Sequence, residues 1–181
     1  MQQRGVHSTD QVPGGLTPAG CSSPGTGQIL PDATLPAADG TSLSLDRYSG
    51  RRNLVVVLLG ACALDNELSR LLPQLARSHA TMDIEEAEVL VVAAGDAREL
   101  ASSATYPFPI LVDRDEAFHR CLGSVGAAGA VAPAVIITDR FREIYHIFRP
   151  IDPEWPPTAD DIASWLVFMN IQCPECGAPE W

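Results

Sequence analysis

Basic residues are scarce: 12 Lys and Arg stand against 23 Asp and Glu, for a formal charge of -11 and a pI near 4.6. A nucleic-acid binder concentrates Lys and Arg on one face to neutralise phosphates, and twelve scattered cations do not supply such a face. The acidity serves solubility instead. No segment approaches the ~20 apolar residues of a membrane span, and the apolar run at 54–59 is the length of a strand. Residues 1–10 lack the basic start and apolar stretch of a secretory signal, so the expected compartment is the cytoplasm and no membrane insertion is expected. Cysteine is limited to positions 21, 62, 121, 173 and 176, an odd count that does not read as a disulfide scaffold.

What is present is an ordinary globular composition, 46% hydrophobic and 19% charged, in 181 residues, enough for one domain with tails. Residues 1–27 are mostly Gly, Pro, Ser, Thr and Gln with almost no apolar period, and read as a flexible leader in which Cys21 is incidental. Ordered structure is expected from about Ile29, with Asp39-Gly40 as a hairpin signal between short alternating runs. LVVVLL at 54–59 reads as a central strand buried on both faces. Leu64, Leu68, Leu71, Leu72 and Leu75 then recur at helical spacing as far as His79, which puts Cys62 at a strand-to-helix junction.

EVLVVAA at 88–94 repeats the buried-strand pattern, and Asp96 is placed to cap a helix through Ala104. PFPILVD reads as a short strand, followed by a short helix carrying Phe118, Cys121 and Leu122, where Cys121 packs in the core. Pro133 precedes AVIITD, which with EIYHIF forms an expected antiparallel hairpin turning at 139–142. A last amphipathic helix at 160–171 presents Ile162, Trp165, Leu166 and Met169 on one stripe, and the tail QCPECGAPEW at 172–181 reads as a loop or clip. His7, His79, His119 and His146 show no ligand spacing and read as surface or strand residues.

The order βαβα then ββα is that of a thioredoxin fold: an α/β domain over 28–171 with a central mixed sheet of four or five strands flanked by helices. Three segments, GQILPDATLPAADGTSLSLDRYSGRRNLVVVLL, PFPILVDRDEAFHRCLG and APAVIITDRFREI, resemble landmarks of the alkyl hydroperoxide reductase and thiol-specific antioxidant family of redoxins. The resemblance spans roughly residues 27–171. It implies a thiol-disulfide oxidoreductase whose reactive cysteine sits at the N-terminus of the first long helix, where backbone N–H groups and the helix dipole favour thiolate.

Cys62 is the candidate nucleophile. One alignment makes the local motif Cys62-Ala63-Leu64-Asp65, with aspartate where a second cysteine would stand; another, anchored on Glu67-Leu68, puts Leu64 at the peroxidatic position. The peroxidases of that family carry P-x-x-x-T-x-x-C, and neither Val57, Ala61 and Leu64 nor Val55, Leu59 and Cys62 supply the proline and threonine. Ala132-Pro133-Ala134 brings no arginine from the later strand. Weak or no ordinary peroxidase activity is therefore expected. Pro133 resembles the cis-proline that faces the active site of thioredoxin folds, and is a candidate site residue beside Cys62.

Cys173-Pro174-Glu175-Cys176 brings two thiols within reach of one disulfide or one metal ion. As a redox pair, Cys173 or Cys176 would resolve an oxidised Cys62, with a thiol or disulfide protein or a small thiol as partner and no cofactor. As metal ligands, Cys173 and Cys176 form half of a zinc site and need Cys62, a histidine or the tail of a second copy in a homodimer. The alternative to an enzyme is a catalytically degenerate redoxin acting as a binding or accessory subunit.

Overall fold

The computed structural model describes residues 23–37, 39–60, 67–95, 106–126 and 129–172. A hairpin opens the domain: β1 (Thr34–Pro36) pairs antiparallel with β2 (Ser42–Ser44), and Gly40 takes the left-handed conformation (φ 88°) in the turn. The main sheet contains β3 (Asn53–Leu59), β4 (Ala87–Ala94), β5 (Ile110–Asp113), β6 (Ala134–Thr138) and β7 (Ile144–Phe148), in the spatial order β5-β4-β3-β6-β7. Strands β3, β4 and β5 run parallel, whereas β6 is antiparallel to β3 and to β7, so the sheet is mixed.

The apolar run at 54–59 is the middle strand and is buried throughout. Its side chains alternate between two cores. Val55, Val57 and Leu59 face α1 (Leu71–Arg77), α2 (His79–Ile84) and the last helix, while Leu54, Val56 and Leu58 face the β1–β2 hairpin with Phe118 and Leu122. A strand covered on both faces needs no polar alternation, and for that reason the sequence shows none.

The leucine stripe does not form one continuous helix. Residues Glu67–Arg70 make a 3-10 turn, and the α-helical hydrogen bonding begins only at Leu71. Pro73 explains this start: its nitrogen cannot donate to the carbonyl four residues back, and its ring crowds that carbonyl. After a break at Ser78 the chain re-forms a helix as far as Ile84, beyond the expected end near His79. Two further helices follow, α3 (Ala117–Cys121) and α4 (Ala159–Asn170). Thr158 starts α4 with a capping box, accepting from the Asp161 backbone N–H while the Asp161 carboxylate accepts from its own N–H at 2.8 Å. Ile162, Leu166 and Met169 are buried by α4, as the stripe predicts. The expected helix at 96–104 lies outside the described residues.

Among the described residues no helix is long and apolar enough to cross a membrane. Ordered contacts begin before Ile29: Gly27 N–H donates to the Ile144 carbonyl at 2.8 Å, and Gln28 accepts from the Ile144 N–H at the same distance.

Candidate functional site

Central strand β3 ends at Leu59, and the chain passes through Gly60 toward Cys62. At Gly60 the backbone is pressed against the segment leading into β6. A Cβ there would lie 3.1 Å from the Val131 carbonyl and 3.3 Å from Pro133 Cδ, so glycine permits the approach. Pro133 therefore stands beside Gly60, and its peptide bond is trans, where a cis bond was expected. The cis bond among the described residues is Trp155–Pro156. Ser124 accounts for the difference: its carbonyl accepts from the Ala132 N–H at 2.9 Å and its hydroxyl donates to the Ala132 carbonyl. Bracketed from both sides, Ala132 keeps the lower-energy trans peptide. Cys62, Cys173 and Cys176 lie outside the described residues, as does Cys21.

Two further polar side chains lie buried beneath this junction, and the sequence pattern did not single them out as a site. His119 is 0% exposed and Asp113 1% exposed. His119 Nε2 faces the Leu59 carbonyl at 3.0 Å, and Nδ1 faces Asp113 Oδ2 at 2.6 Å. A carbonyl only accepts, so Nε2 carries hydrogen. Asp113 also takes the backbone N–H groups of Phe118 (3.3 Å) and His119 (2.9 Å). Burial pushes the Asp113 carboxyl up, but the His119 side-chain and backbone bonds, its charge and the Phe118 N–H outweigh burial and hold it below the usual carboxylate range.

Local sequence explains the arrangement. The residue before α3, Glu116, has φ 58° and makes no side-chain cap; Asp115 Oδ1 takes the Ala117 N–H at 3.3 Å, which leaves the Phe118 and His119 N–H groups in need of an acceptor. Asp113, at the end of β5, reaches over to supply one. That fixes His119 with its ring toward β3. The legible signal was a polar residue set among Phe118, Cys121 and Leu122, six residues after an aspartate that ends a strand.

Cys121 is 4% exposed, in keeping with core packing, but it is disulfide-bonded and not a free core thiol. Its partner lies among the four other cysteines, all outside the described residues. Ser23 packs on Gly123 so closely that a Cβ on the glycine would meet the Ser23 hydroxyl at 2.3 Å. The chain two residues after Cys21 thus lies beside the chain two residues after Cys121. Peptide mapping without reductant is expected to recover Cys121 linked to Cys21; a link to Cys62, Cys173 or Cys176 would contradict this pairing.

Among the described residues no group of three His, Cys, Asp or Glu side chains converges to hold a metal ion. A separate groove of about 500 Å³, lined by Glu154, Asp161, Ser164, Trp165 and Phe168, shares no residue with the end of β3.

A mixed sheet covered on both faces, with a cysteine just past its central strand, defines a thioredoxin-like redoxin of the peroxiredoxin type. AhpC of Mycobacterium tuberculosis is similar in structure, with TM-score 0.69 and 16% identity over 87% of this chain and 100% of that one. Mycobacterium bovis AhpC gives TM-score 0.66 and 17% identity over 80% and 96%. The mitochondrial 2-cys peroxiredoxin of Plasmodium falciparum gives 0.67 and 7% over 80% and 94%. At these identities the likeness carries the fold. The AhpC/TSA family profile matches residues 26–147, and the chain belongs to that family. No curated protein matches it by sequence.

Proposed function

We propose that the chain is a thiol-disulfide redox protein in which Cys62 is the nucleophile and Cys173 or Cys176 the resolving thiol. The observation that carries this reading is the close seating of Gly60 against Val131 and Pro133, which fixes the chain just past the end of β3, two residues before Cys62. The Cys62 thiolate would attack one peroxide oxygen, giving a sulfenic acid and releasing the other oxygen as water or alcohol. A tail thiol would then attack the sulfenate sulfur, forming a disulfide and releasing water. A protein dithiol or two small thiols would return the pair to the reduced state by exchange. The same tail thiol serves equally from the partner copy of a homodimer.

Catalysis of peroxide reduction itself is weak in this reading, because the proline, threonine and arginine roles of the family's peroxidases have no matching residue at the motif positions. What remains is the thiol and its tail partners, which suit exchange with another thiol or disulfide. The test is alkylation of the native protein across pH, followed cysteine by cysteine by mass spectrometry. Cys62 is expected to be accessible and to react with a midpoint below the ordinary thiol value of about 8.5. A Cys62 that resists alkylation until the fold is unfolded would show a buried structural thiol.

A further inference from the structure

The groove beside α4 differs from the rest of the surface in what its walls are made of. Its lining is two carboxylates, Glu154 and Asp161, two aromatic rings, Trp165 and Phe168, and the Ser164 hydroxyl, with no cation among them. The imbalance extends along the chain: residues 150–172 hold Asp152, Glu154, Asp160 and Asp161 and no Lys or Arg. The rings are stacked in series outward from the core. His146 meets Phe148 edge to face at 4.3 Å and stacks on Trp165 at 4.2 Å, and Trp165 meets Phe168 edge to face at 5.6 Å. Phe148, at the inner end, is buried, whereas Phe168, at the outer end, is 48% exposed. Burial pushes the His146 imidazole down against the pull of Glu154 and Asp152, so that ring brings no positive charge to the stack at neutral pH.

The Asp161 carboxylate is held in place: the Thr158 N–H at 2.8 Å and hydroxyl at 2.7 Å both donate to Oδ2, which leaves Oδ1 to accept. Carboxylates beside rings fixed by packing suit one kind of group. A lysine ammonium is a compact, strongly hydrated charge, whereas a planar guanidinium stacks on a ring and forks to a carboxylate. We propose that this groove docks an arginine side chain of a protein partner, with apolar residues on either side of the arginine covering Phe168 and the helix beyond it. The stripe formed by Asp161, Ser164, Trp165 and Phe168 continues one turn further to Ile171, which is 74% exposed, so the surface is longer than one small cation covers. A chain with a formal charge of -11 also draws a basic segment toward it. The site stands whether or not Cys62 is the nucleophile, because none of its residues belongs to the end of β3.

The test titrates the full chain near neutral pH with a capped tripeptide of leucine, arginine and leucine, followed by NMR at the Trp165 indole N–H and the α4 amides. Saturable shifts centred on Asp161, Trp165 and Phe168 are expected, weakened by about 1 M NaCl. Citrulline in place of the arginine keeps the shape and removes the charge, and should weaken binding roughly tenfold, since both the ring and the carboxylate contacts lose their cation. Phe168→Ala and Glu154→Gln, at exposed positions that leave the core intact, should each weaken it about two- to fivefold, the usual size of a surface cation–π or ion-pair contact. A citrulline peptide that binds as well, shifts unaffected by both substitutions, or no saturable shift at peptide concentrations on the order of 10 mM would overturn the proposal. Argininamide binding as tightly as the tripeptide would also overturn it, by making a free small cation the occupant in place of a partner's segment.

Discussion

Replacing Asp113 with alanine is expected to destabilise the fold by about 3 kcal/mol or more, since each buried donor left without an acceptor costs about 1–3 kcal/mol. Three groups lose their partner at once: the Phe118 and His119 N–H groups and His119 Nδ1. The first turn of α3 loses the carboxylate that takes its Phe118 and His119 N–H groups. The loss depends on pH in a direction set by the carboxyl. Asp113 is held below the usual carboxylate range in the folded protein, so its stabilisation is fully present above the unfolded value of about 3.9. It disappears as pH falls through the lowered folded value. Urea unfolding of wild type and variant should thus show the full difference at pH 7 and a shrinking one in acid. A cost under about 1 kcal/mol at pH 7 would show that the pair is not held as described.

Hydrogen peroxide is expected to be reduced slower, by a factor of ~10² to 10³, than by a family member carrying the full motif, since oriented donors at a reacting oxygen commonly contribute that much. Leu59 and Val55, counted back from Cys62, are buried strand residues whose side chains offer no hydrogen bond. Pro133 and its neighbours Ala132 and Ala134 bring no guanidinium. Stopped-flow or coupled peroxide assays on the reduced protein measure the rate directly. Turnover typical of the intact family would mean that other groups replace the missing ones.

The strands were legible because burial on both faces leaves a signature in composition alone. LVVVLL could only be a central strand, and AVIITD with EIYHIF could only return antiparallel across so short a turn. The α1 start was less legible, since Pro73 acts on hydrogen bonds that a leucine period does not reveal. The site was legible only where chain order places it. Gly60 and Pro133 meet because β3 and β6 are neighbours, an arrangement that the order of elements implies. The trans peptide at Pro133 depends on Ser124, nine residues earlier, and no local pattern specifies it. His119 reads as a surface residue until Asp113 is seen to cap α3 and turn the ring inward. Cys121 looks like core for a similar reason: its bond to a distant cysteine is a fact of space, and spacing along the chain carries none of it.

The central claim is that Cys62 and the tail cysteines form one redox couple, and mild peroxide followed by mass spectrometry without reductant tests it most directly. The expected result is a Cys62 to Cys173 or Cys62 to Cys176 disulfide, within one chain or between two, that is absent from the Cys62→Ser variant. A Cys173 to Cys176 bond with Cys62 unmodified, or zinc held by the tail cysteines with no oxidation at all, would contradict it.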